Sequence, residues 1–153
     1  MRTTDLFLHD EAEILRVAED IQRSRLERKG KIRNPADTFQ YLKAHLAHQV
    51  REVFSVIFLD SQHQVLACED LFFGTIDGSE VHPRVIAQRA LHLNAAAIII
   101  SHNHPSGSKE PSVADRAVTK KIKQLMELLD IRLLDHVLVA GDECISLARM
   151  GWC

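Results

Sequence analysis

The chain has 153 residues, enough for one ordinary domain and too few for two. Its 46% hydrophobic and 26% charged residues fall in the soluble globular range, which excludes a disordered or fibrous chain. A net charge of −2 gives no global pull toward nucleic acid or an anionic membrane, so any such binding has to come from a local patch.

The opening MRTTDLFLHDEAEIL has no apolar run of signal-peptide length before its acidic residues begin. Secretion is not expected. A first helix is expected from Asp10, where Asp10 and Glu13 form a D-x-x-E capping box and Ile14, Val17, Ala18 and Ile21 follow at helical spacing. It should fade near Leu26. The basic stretch from Arg23 to Arg33, broken by Gly30, reads as a connection. Asn34 can cap a second helix with Pro35 at its first position and Phe39, Leu42 and Leu46 along one face. Residues 1–48 thus read as an N-terminal helical appendage.

From Glu52 the pattern changes to strand. EVFSVIFLD, the turn SQHQ and VLACEDLFFGT read as an antiparallel hairpin followed by a further extended segment. Helical spacing returns from Pro83 to Leu93, through Val85, Ile86 and Ala90. AAAIIIS then forms an unbroken apolar run, which predicts a central strand buried on both faces. That run is far short of the roughly 20 residues that span a bilayer. A charged helix is expected from about Ser112 to Leu129, with Val118, Ile122, Leu125 and Leu129 facing inward. IRLLDHVLVA and ECISLA close a mixed sheet flanked by helices, an α/β (α+β) arrangement. Cys68, Cys144 and Cys153 are odd in number and far apart, which fits neither a disulfide framework nor a C-x-x-C site and suits a reducing cytoplasm.

The strongest chemical signal is HNHPSGSKEPSVAD, directly after the buried strand. Strand side chains alternate, so His102 and His104 point to one side and can converge on one ion. The turn at Pro105, Ser106 and Gly107 brings the chain back, and Asp115 in the first turn of the next helix can add an oxygen. Two imidazoles and a carboxylate leave a tetrahedral zinc one position short, the arrangement of a catalytic rather than a structural site. Zinc lowers the pKa of water in that position to about 7 and polarises carbonyls, which brings amide hydrolysis within reach. Taken alone, Ser112 and Asp115 are an S-x-x-D capping box, and the histidines could be loop residues. Their joint occurrence at strand end, turn and helix start favours the metal.

H-x-H-P followed by S-x-x-D resembles the JAMM signature of MPN+ metalloproteases, and NAAAIIISHNHPSGSKEPSVAD with LLDHVLV resembles the RadC-like branch of that family. The resemblance covers residues 49–153 as a RadC-like JAB/MPN catalytic domain with a JAB/MPN-like, cytidine-deaminase-like architecture. It implies one Zn2+ per chain held by His102, His104 and Asp115, Glu52 as general base and Ser112 as polariser of the oxyanion. Glu69 and Glu80, in segments read as turns, are the alternative bases. A zinc hydrolase cleaving a peptide or isopeptide bond of a protein substrate is the implied activity. The alternatives are a DNA-associated RadC-like protein and a non-catalytic scaffold, and the N-terminal helices lack the Gly-rich hairpins of a helix-hairpin-helix DNA-binding region. Tight nucleic-acid binding and membrane association are not expected.

Asp135 and His136 can orient a ligand histidine or be an ordinary strand-end pair. His45, His48, His63, His82 and His92 are expected on surfaces or helix faces, and Cys144 in the core.

Overall fold

A D-x-x-E start, two helical stripes and a set of β-branched runs become ten elements in a computed structural model that describes residues 10–28, 32, 35–74 and 81–153. Helices α1 (Glu11–Arg28) and α2 (Pro35–Leu46) come first, then strands β1 (Val53–Leu59) and β2 (Val65–Phe73). Helix α3 (Pro83–His92), strand β3 (Ala97–His104) and helix α4 (Val113–Leu128) follow. Strands β4 (Arg132–Ala140) and β5 (Glu143–Ser146) and a 3-10 turn (Ala148–Met150) end the chain.

The strands form one mixed sheet in the order β2-β1-β3-β4-β5. The β1–β2, β1–β3 and β4–β5 pairs are antiparallel and β3–β4 is parallel. A parallel pair needs a crossover, and α4 provides it, packed against the sheet. β3 occupies the middle, as its apolar run predicts, and seven of its eight residues are buried.

Alternation along the strands divides the interior into two cores. On one face Phe54, Val56, Phe58, Ile98 and Ile100 meet Ile86 and Ala90 of α3 and Val118, Ile122 and Met126 of α4. On the other, Val53, Ile57, Leu59, Ile99 and Val137 meet Tyr41, Leu42 and Leu46 of α2. The second helix therefore closes one layer of the sheet. The metal motif lies at the end of β3 on the α4 face.

Three local expectations are corrected. α1 continues to Arg28, past Leu26, so the start of the basic stretch is helical. Asp10 accepts a 2.7 Å bond from the Glu13 amide at its start, and Asp20 pairs with Arg23 one turn on. The extended segment expected after the hairpin is part of β2 itself, which pairs with β1 along its length. Asp135 and His136 lie within β4 and not at its beginning. Gly30, Asn34 and Glu80 lie outside the described residues.

Candidate metal centre

The last turn of β3 and the first turn of α4 meet over the sheet, and the local rules that shape each of them aim their side chains at one point. His102 and His104 lie two apart on the strand, so both project to the α4 face. The chain reverses at Gly107, whose φ of 80° is in the left-handed region open to glycine. Ser112 caps α4: its hydroxyl oxygen accepts from the Asp115 amide at 3.0 Å, and its own amide donates to Asp115 Oδ2 at 2.7 Å. The capping box exists, and it is the device that turns the Asp115 carboxylate toward the histidines.

His102 Nε2 lies 3.1 Å from Asp115 Oδ1, His104 Nε2 lies 3.2 Å from Asp115 Oδ2, and the two Nε2 atoms are 3.2 Å apart. All three donor groups fall within 4.8 Å of one another. The side chains of His102 and Asp115 are sealed, at 0% and 1% exposure, while His104 at 13% forms the open edge. Burial opposes ionisation of Asp115, but the adjacent His102 ring and the Ser112 contacts outweigh it and hold the carboxyl well below the usual range. His104 Nδ1 faces the Ser108 carbonyl at 3.0 Å. A carbonyl only accepts, so that nitrogen carries a hydrogen and Nε2 is the atom that faces the centre. Electron-rich atoms this close attract one another only with a proton or a cation among them, so the donor set fits a zinc-sized cation.

The other expected residues are arranged around this point. Glu52 immediately precedes β1, and its carbonyl accepts from the Gly74 amide at 2.9 Å. Phe54 pairs with His102, so β1 begins beside the end of β3 that carries the histidines. Asn103, between the histidines, spans this junction: its Oδ1 accepts from the Val53 amide at 2.7 Å and its Nδ2 donates to the Arg51 carbonyl at 3.0 Å. The backbone on both sides of Glu52 is thereby tied to the histidine strand. Glu69 is not in a turn; it lies in β2 and makes a two-pronged pair with Arg89 at 2.7 and 2.8 Å.

His136 and Asp135 have different duties. His136 Nε2 lies 2.8 Å from His102 Nδ1, and Thr119 Oγ1 lies 2.5 Å from His136 Nδ1. Burial, reinforced by His102, lowers the His136 pKa well below 6.5. Asp135 instead accepts from the amides of His136 and Ala148 and from Ser146 Oγ, which fixes the C-terminal turn. Phe54 stacks on the His102 ring at 6.3 Å.

His45 is neither on a surface nor idle. It is buried on the far face, with Glu19 Oε1 and Asp70 Oδ1 each 2.6 Å from one of its ring nitrogens. Those carboxylates lie on opposite sides of the ring, so they cannot share an ion with it. Cys144 packs at the margin of the far core, and burial pushes its thiol up to about 11. Asn103 and Thr119 were not foreseen, although each stands at a readable spacing: one between two ligands, the other one helical turn after Asp115.

Comparison with known proteins identifies the family. A family model described as RadC-like JAB domain matches residues 32–152. A UPF0758 protein of Xanthomonas oryzae pv. oryzae strain PXO99A is 50% identical over 129 residues, covering 84% of this chain and 57% of the relative. A UPF0758 protein of Stutzerimonas stutzeri strain A1501 is 50% identical over 128 residues, with the same coverage. The chain thus spans a little over half the length of the curated relatives it matches.

Proposed function

Because the chain belongs to the RadC-like JAB domain family, we propose that it is a zinc-dependent hydrolase cleaving a peptide or isopeptide bond. The observation that carries the reading is the convergence of His102 Nε2, His104 Nε2 and the Asp115 carboxylate beside an open edge. These three would hold the ion, one per chain. When bound, a three-ligand zinc supplies Lewis acidity and lowers the pKa of water in its open position to about 7.

In this reading Glu52 takes the proton of the attacking water and returns it to the leaving amine. The Asn103 bonds that tie the backbone on both sides of Glu52 to the histidine strand support this role, because a general base has to be held close to the proton it takes. Ser112 Oγ spends a lone pair on the Asp115 amide, which leaves its hydrogen to donate to the oxyanion that develops on the scissile carbonyl. Residues 49–153 carry all of these groups, whereas 1–48 adds helices, of which α2 also completes the far core. Replacing Glu52 with Gln should leave the zinc content and fold intact and lower turnover by about 10² to 10⁴. A peptide-library cleavage assay beside elemental analysis measures both. Wild-type turnover in that variant would remove Glu52 from the mechanism.

The DNA-directed alternative finds basic groups in Arg116 and Lys120, which line one hollow with Trp152. With a net charge of −2, such a patch should give non-specific affinity of only about 10⁻⁴ to 10⁻⁶ M at physiological salt. Fluorescence anisotropy with labelled duplex and single strands tests this. Sub-micromolar binding would move the alternative to first place. Among the described residues no helix is long and apolar enough to cross a membrane.

A further inference from the structure

We propose that Thr119 and His136 are positioning residues that form a one-directional hydrogen-bond relay, fixing His102 in the tautomer whose Nε2 lone pair faces His104 and Asp115. The argument is a count of protons. Thr119 Oγ1 lies 2.7 Å from the Asp115 carbonyl oxygen, a separation at which two oxygens attract only with a hydrogen between them. The carbonyl has none to give, so the single hydroxyl hydrogen of Thr119 is committed there.

The next contact, 2.5 Å between Thr119 Oγ1 and His136 Nδ1, then takes its hydrogen from the imidazole. A neutral imidazole with its hydrogen on Nδ1 has a bare Nε2, which can only accept. His136 Nε2 meets His102 Nδ1 at 2.8 Å, so His102 donates from Nδ1 and its own Nε2 is left bare. Run in the opposite direction, the chain leaves the contact between Thr119 and the Asp115 carbonyl without a hydrogen. It also puts a hydrogen on His102 Nε2, where it would block a cation.

Every member of the relay is buried: Thr119, His102 and Asp115 at 0–1% exposure and His136 at 1%. Water therefore has no easy route to substitute for a missing partner, and loss of one hydroxyl should be felt at His102, two bonds away. The relay also ties the ligands together, because the carbonyl at one end belongs to Asp115 and the ring at the other touches its carboxylate.

The relay's connection to zinc rests on the metal-centre reading above, but its test does not. Nitrogen NMR of histidine-labelled, zinc-free protein at mildly alkaline pH reads the tautomers directly. His102 and His136 should both carry hydrogen on Nδ1 in the wild type. Thr119→Val, which removes the hydroxyl and keeps the shape, should shift His102 toward the Nε2–H form, and Thr119→Ser should restore the wild-type pattern. In chelator competition, Thr119→Val should bind zinc about 10- to 100-fold more weakly, with Thr119→Ser near wild type. An Nε2–H tautomer at His102 in the wild type overturns the relay without needing any variant to fold. So does a folded Thr119→Val protein with unchanged tautomers and zinc affinity. Correct tautomers in a wild type that binds no zinc would uphold the relay and refute the metal centre.

Discussion

The two faces of the sheet carry histidine clusters of opposite composition. On the α4 face there are three imidazoles to a single carboxylate: His102 and His104 touch Asp115, and His136 backs His102. On the α2 face one imidazole, His45, stands between two carboxylates, Glu19 and Asp70. Burial pulls the His45 pKa down, but the hydrogen bonds and charges of Asp70 and Glu19 outweigh it and raise it above 6.5. The far cluster thus supplies its own cation by protonation. In the near cluster burial lowers the His136 pKa, and the Nε2 atoms of His102 and His104 converge on one carboxylate. Burial is common to both, and what differs is the ratio of carboxylates to imidazoles, two to one on the α2 face and one to three on the α4 face.

The largest break in this comparison should follow from removing a near-face ligand. Asp115→Ala or His104→Ala should reduce zinc from about one per chain to nearly none, because a three-ligand site cannot spare a donor. Elemental analysis of the purified variants decides it, and full zinc in both would refute the ligand set. His45→Gln, in contrast, should leave zinc unchanged and cost about 2 kcal/mol of stability, since it discharges a hydrogen-bonded ion between two carboxylates.

A pH series sharpens the difference. Because the His45 pKa is raised in the folded state, its contribution is fully present below 6.5 and is lost as pH rises through the raised value. Urea unfolding of wild type and His45→Gln should therefore converge with increasing pH, and a gap that widens instead would invert the assigned charge. The smallest effect belongs to Ser112→Ala, expected to cost about 1 kcal/mol through the lost cap while lowering turnover. Calorimetry beside the cleavage assay separates the two consequences.

Much of the near site was legible because its candidate ligands are close in sequence and obey local periods. Two histidines two apart on a strand and a serine and aspartate three apart at a helix start need only the alternation of a strand and the geometry of a cap. The central position of β3 followed from its unbroken apolar run. Less could be read wherever partners are distant. His45 meets residues 25 and 26 positions away, and no spacing rule links Glu19, His45 and Asp70 before the helices are docked. Asp135 and His136, adjacent in sequence, separate by strand parity into a turn anchor and a histidine support. Glu69 looked turn-like because its neighbours are polar, yet pairing with β1 makes it strand.

The Asn103 bridge has a consequence for the order of events during synthesis. It joins β3 to residues 50 and 52 positions earlier, and such long loops close late and slowly relative to helices and hairpins. The chain emerges from its N-terminus, so the β1–β2 hairpin is made well before the strand that pins the Glu52 junction, and Asp115 arrives later still. A nascent or truncated chain would hold Glu52 without the two histidines, or the histidines without Asp115. The candidate metal centre would then be incomplete until the central pairing is made, so its assembly is coupled to the completion of folding.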